Sequence, residues 1–131
     1  MILKGKRVTD ERGSVTFIND FDFNDVKRFY IVRNAKNNFF RGWHGHKNEA
    51  KYVFVVRGKA KIAWQDMEAD ERVGGSVIMD GYSPQILCIP PGNANAARNL
   101  TKDTEIMYFS TSTLEESLED DYRFPEDRWT M

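Results

Sequence analysis

Apolar residues in this chain come in short runs, β-branched or aromatic, and turn chemistry interrupts each run before it reaches helical length. Ser14–Ile18 follows Arg12-Gly13, Arg28–Val32 runs into the polar stretch Asn34–Asn38, and Lys51–Val56 stops at Arg57-Gly58. Val77–Met79, Gln85–Ile89 and Glu105–Ser110 are set off by Gly74-Gly75, Asp80-Gly81 and Pro90-Pro91-Gly92. Glycine admits left-handed backbone and proline fixes φ, so such clusters reverse the chain. Lys51–Val56 and Lys59–Trp64, joined by a Gly-containing link, predict a β-hairpin. Many short strands with frequent turns predict an all-β sandwich or barrel, and a jelly roll is the expected form.

One helical signal stands apart. Thr113 with Glu116 three residues later forms a capping-box pattern that predicts a short acidic C-terminal helix through Leu118. Asp20–Asp25 fits a turn or a helical turn equally well. No repeat, linker or low-complexity segment divides the chain, and 131 residues suit a single domain over 1–131 with one core. The aromatic content of 13% suits a packed barrel interior.

A formal net charge of −1 gives no electrostatic case for nucleic acid or an acidic membrane. No segment approaches the roughly 20 apolar residues of a membrane span, and Met1-Ile2-Leu3-Lys4 lacks the apolar stretch of a secretory signal. The lone cysteine, Cys88, has no partner for an internal disulfide and reads as a buried small hydrophobe within Ile86–Ile89. A cytoplasmic location is expected.

The densest chemistry lies in Arg41-Gly42-Trp43-His44-Gly45-His46-Lys47, which holds both histidines of the chain. On a strand, residues two apart share a face, so both imidazoles can look into one cavity. Lys51 opens the next apolar run, and an inward-facing Lys51 would bring its ammonium near them. A second cluster, Pro90–Asn99, is a Pro-Gly turn into small residues that lets a strand approach a ligand or another backbone closely. In Glu105–Ser110 alternation puts Ile106, Tyr108 and Ser110 on one face and Met107 and Phe109 on the other, which leaves Tyr108 inside or outside. Each candidate also has an ordinary reading. Lys51 fits a solvated strand-end lysine, Arg41 a surface ion-pair residue, Tyr108 a core tyrosine, and His46 an imidazole that merely fixes the first.

His-x-His before a strand and Pro-x-Gly after it resemble the two halves of a cupin signature. Asp10–Gly13, Arg41–His44, Lys51–Gly58, Pro91-Gly92 and Tyr108–Thr111 together resemble the dTDP-4-dehydrorhamnose 3,5-epimerase family, in order and over nearly the whole chain. The resemblance implies a cupin jelly-roll barrel and epimerisation of a nucleotide-linked 4-keto-6-deoxy sugar at C3, C5 or both, for surface polysaccharide. It implies His44 as base, Tyr108 as acid and Lys51 as the oxyanion partner. Substrate contacts then fall to Arg41, His46, Trp43, Asn95 and Arg12, with Trp43 stacking on base or sugar. It also implies a homodimer whose N-terminal strands, around Val15–Ile18, reach across to the partner. No cofactor or metal is required, because the substrate's own ketone acidifies the carbon. A neutral imidazole with pKa near ~6.5 suits that proton removal.

The chain departs from the family at several points. Asn95 stands where the epimerases carry a second histidine, and Phe17 where they carry a nucleotide-contacting glutamate. Their C-terminal aspartate, which orients the basic histidine, has no evident counterpart, although Asp120, Asp121 and Asp127 lie nearby in sequence. His44-Gly45-His46-Lys47 resembles the sugar 3,4-ketoisomerases, which gives a second reading in which both histidines shuttle a proton on one face. A metal cupin is disfavoured because Glu49 is misplaced in spacing and Asn95 is a poor transition-metal ligand. A non-catalytic sugar-binding cupin is the remaining alternative.

Overall fold

The computed structural model describes residues 1–131. Two five-stranded antiparallel sheets face each other. The first contains β1 (Ile2–Lys4), β4 (Arg28–Val32), β6 (Lys51–Arg57), β9 (Gln85–Ile89) and β11 (Glu105–Ser110), in the order β1-β9-β6-β11-β4. The second contains β5 (Phe40–His46), β7 (Lys59–Asp66), β8 (Gly74–Asp80), β10 (Asn93–Asn99) and β12 (Tyr122–Arg123), in the order β12-β5-β10-β7-β8. A separate exposed hairpin joins β2 (Lys6–Asp10) to β3 (Gly13–Phe17). The short helix α1 (Leu114–Leu118) begins at Thr113 with both capping-box hydrogen bonds formed, as its sequence predicts. No helix is long and apolar enough to cross a membrane.

The jelly roll is as expected, but one local pairing differs. β6 and β7 do not form a hairpin: β6 pairs with β9 and β11, and β7 with β8 and β10. Gly58, at φ +77°, turns the chain out of one sheet and into the other. The alternating residues then meet across the core. Val53 and Val55 of β6 join Ala60 and Ile62 of β7, with Leu87, Ile106 and Tyr108, in one buried cluster. A hairpin would have placed the two runs side by side and left that interior half filled.

A second cluster lies on the far side of β5 and β10. Trp43, Ala63, Ala94 and Ala96 are buried there under Trp129, and the Trp43 indole N–H reaches the Trp129 carbonyl at 3.3 Å. The residues after β12 therefore seal the back of the sheet that carries the histidines. Asp20–Asp25 forms turns and no helix, and Phe21 within it is buried against Tyr52 and Phe109. Cys88 is half-buried, not fully buried as its apolar run suggested. Strand alternation sends Leu87 and Ile89 inward and Cys88 outward.

Candidate active site

Strand β5 alternates as required to present His44 and His46 to the barrel interior and Trp43 to its back. The interior near them opens as a cavity of about 250 Å³. His44 and His46 line one wall. Arg28 and Tyr30 of β4 and Lys51 of β6 line the facing wall, and α1 with the strand after it closes the side through Leu118, Asp121 and Arg123.

His46 is almost completely buried. Its Nδ1 lies 2.6 Å from the Asp120 carbonyl, a distance only an N–H can occupy, so Nε2 carries the lone pair whenever the ring is neutral. That Nε2 has no hydrogen-bond partner. The Asp120 carboxylate accepts the backbone N–H groups of Lys47 and Asn48, which ties the C-terminal segment to the turn after β5. His44 is half-buried and sits opposite Asn95 and Arg123 in the strand register. Burial, helped by the Arg123 and Lys51 charges, pushes its pKa below the ordinary histidine value, with Asp121 opposing. An imidazole held neutral at neutral pH is a competent base. Asp121 is held by Arg123 at 3.0 Å.

On the facing wall the Lys51 ammonium donates to the Tyr30 hydroxyl at 2.8 Å. Tyr30 stacks on Tyr108, its partner across β4 and β11, with centroids 5.0 Å apart and planes 14° from parallel. Burial raises both phenols, and it lowers Lys51 against the raising influence of Glu49. Tyr108 thus faces inward, but it lies beneath Tyr30 and does not line the cavity.

Four predicted contacts are not brought to the cavity. Trp43 is fully buried in the rear cluster, so its ring has no free face for a base or sugar. Arg12 is exposed at the tip of the β2–β3 hairpin and pairs with Asp10 at 2.6 Å. Arg41 is exposed and donates to Asn34 at 2.6 Å, although its charge reaches Tyr108. Asn95 is buried, and its side-chain amide donates to the His44 carbonyl at 3.1 Å, which fixes the strand that bears the base. Arg28, Tyr30, Glu49 and Arg123 escaped the sequence reading as site residues. Arg28 and Tyr30 carried one signal, sharing an alternation face with Val32 on an already predicted strand. No group of three or more His, Cys, Asp or Glu side chains converges as a metal site.

The family described as FdtA, WxcM-like, C-terminal, matches residues 1–128. The chain belongs to that family. No curated protein matches it significantly in sequence. Among solved structures, the dTDP-4-dehydrorhamnose 3,5-epimerase of Bacillus anthracis superposes with a TM-score of 0.80 at 19% identity, covering 96% of this chain and 78% of that one. ChmJ of Streptomyces bikiniensis, a 3'-monoepimerase bound to dTDP-quinovose, gives 0.79 at 18% identity, covering 95% and 69%. A 3,4-ketoisomerase of Helicobacter canadensis gives 0.73 at 20% identity, covering 98% and 92%. These similarities establish the shared cupin barrel.

Proposed function

We propose that this chain is an isomerase that epimerises a nucleotide-linked 4-keto-6-deoxyhexose at C3, C5 or both. The observation that carries the reading is a neutral-leaning imidazole, His44, on one wall of a sugar-sized cavity and a phenol–ammonium pair, Tyr30 and Lys51, on the other. The ketone acidifies the adjacent C–H, and His44 takes that proton. Negative charge develops on the C4 oxygen, where the Lys51 ammonium stabilises it. Inversion needs a proton from the opposite face. Tyr30 fills this role in place of Tyr108, because its hydroxyl lines the cavity and Lys51 offsets the charge its ring acquires on giving up the proton.

A second reading, 3,4-ketoisomerisation, is favoured by one observation: His46 shares the face of His44 and has an unpartnered Nε2. Two bases on one side can return a proton to the neighbouring carbon without inversion. Product NMR separates the two. Inverted coupling at C3 or C5 identifies the epimerase, and a carbonyl moved from C4 to C3 identifies the ketoisomerase. Binding without either change leaves a sugar-binding cupin.

The homodimer belongs to the same proposal. It is supported by the exposed β2–β3 hairpin with Val8 and Val15, and by exposed Phe29 and Ile31 on the outer face of the first sheet. A cytoplasmic setting accords with a nucleotide-sugar substrate and with a single half-buried cysteine.

A further inference from the structure

Glu49 lies in the link between β5 and β6, behind the cavity wall, with its side chain completely buried. Neither of its carboxylate oxygens has a hydrogen-bond partner. The backbone N–H groups just before it, of Lys47 and Asn48, are taken by Asp120. What stands against it instead is two basic side chains and the N–H of an imidazole ring. Oε2 is 3.7 Å from Lys51 Nζ and 4.0 Å from the Arg28 guanidinium, and Oε1 is 3.8 Å from His46 Nδ1. A buried carboxylate without hydrogen bonds to the protein is tolerated only against such opposite charge, and removing one member of a buried group of charges is strongly felt by the rest.

We propose that Glu49 is a positioning residue whose buried carboxylate holds Lys51 as an ammonium against the Tyr30 hydroxyl, so that lysine and phenol act as one proton-donating pair. The use of that pair in catalysis rests on the function proposed above, whereas the charge on Lys51 exists without any substrate.

The other charged groups around Lys51 do not substitute for Glu49. Arg28, on β4, adds a second positive charge, and Tyr30 accepts from Lys51 without supplying a negative one. Across the cavity stand His44 and Arg123, the latter positive, and His46 is turned to the Asp120 carbonyl. The Asp120 carboxylate is committed to two backbone amides and Asp121 to Arg123. Burial drives Lys51 toward its neutral form, and Glu49 is the main influence that opposes it.

The test is a titration of Lys51 in the full-length, substrate-free protein, followed by heteronuclear NMR of the lysine ε-carbons and assigned with Lys51→Arg. Glu49→Gln keeps the shape and removes the charge. The Lys51 midpoint is expected to fall by about 1–3 pH units in Glu49→Gln and to recover in part in Glu49→Asp. With substrate, the basic limb of kcat/KM moves down in step while the acidic limb, set by His44, stays. A Lys51 midpoint unmoved in Glu49→Gln overturns the proposal, as does an activity loss that is uniform across pH. Should Glu49→Gln fail to fold, the wild-type spectrum decides: a neutral Lys51 or a protonated Glu49 carboxyl at pH 7 overturns it. An incorrect sugar assignment shows differently, as no turnover in any variant with the Lys51 shift intact.

Discussion

The Lys51 ammonium donates to the Tyr30 hydroxyl at 2.8 Å on the cavity wall that faces His44. Tyr108 lies one ring deeper and off the cavity surface. Tyr30→Phe is therefore expected to lower kcat by about 10²–10⁴-fold, the range for loss of a general acid, with the circular dichroism spectrum unchanged. Tyr108→Phe removes a hydroxyl that touches no cavity space and is expected to change kcat by less than about tenfold. The reverse order of effects in steady-state kinetics would restore Tyr108 as the acid.

His44 makes a prediction about pH. Its folded pKa is depressed below 6.5, first by burial and then by Arg123 and Lys51. The base is neutral above that depressed value, so kcat/KM should hold through neutrality, with its acidic limb below 6.5. Stability follows the same sign. As pH falls below the unfolded value, the unfolded chain binds a proton that the folded ring resists, and stability declines until the folded pKa is passed. A histidine NMR titration paired with denaturant unfolding across pH checks both. A His44 midpoint above 6.5 would mean that burial does not hold the ring neutral.

Trp43 makes a prediction about stability. It is fully buried against Trp129 at the back of β5. Trp43→Ala should lower unfolding free energy by about 3–5 kcal/mol, as deletion of a buried ring does. Trp43→Phe, which keeps most of the apolar contact, should leave KM for the nucleotide sugar unchanged. A raised KM with unchanged urea midpoint would put the indole on substrate instead.

Trp43 also shows how far the sequence could be read. Residues 43 and 44 are neighbours on a strand, so alternation alone sends their side chains to opposite faces, and His44 inward already implies Trp43 outward. The jelly roll was legible because turn residues bound nearly every short apolar run. The partner of each run was not. Lys51–Val56 and Lys59–Trp64 fit a hairpin locally, and only the need to fill one interior from two sheets sends them apart. Tyr30 and Tyr108 illustrate the same limit. Both face inward, but which ring covers the other depends on how β4 and β11 pair across a sequence separation of 78 (Tyr30 to Tyr108). Glu49 was visible as a residue near the histidines, but its lack of hydrogen bonds is a property of the folded surroundings alone.

The most direct measurement is solvent exchange at the sugar. The purified protein is incubated in deuterated water with dTDP-4-keto-6-deoxyglucose and followed by proton NMR, beside His44→Asn as a control. Loss of the C3 or C5 proton signal is expected with the wild type, together with inverted coupling in the product, and no exchange above background with His44→Asn. Equal exchange by both proteins, or none by the wild type while it binds the nucleotide sugar, would contradict the claim that His44 begins an isomerisation in this barrel.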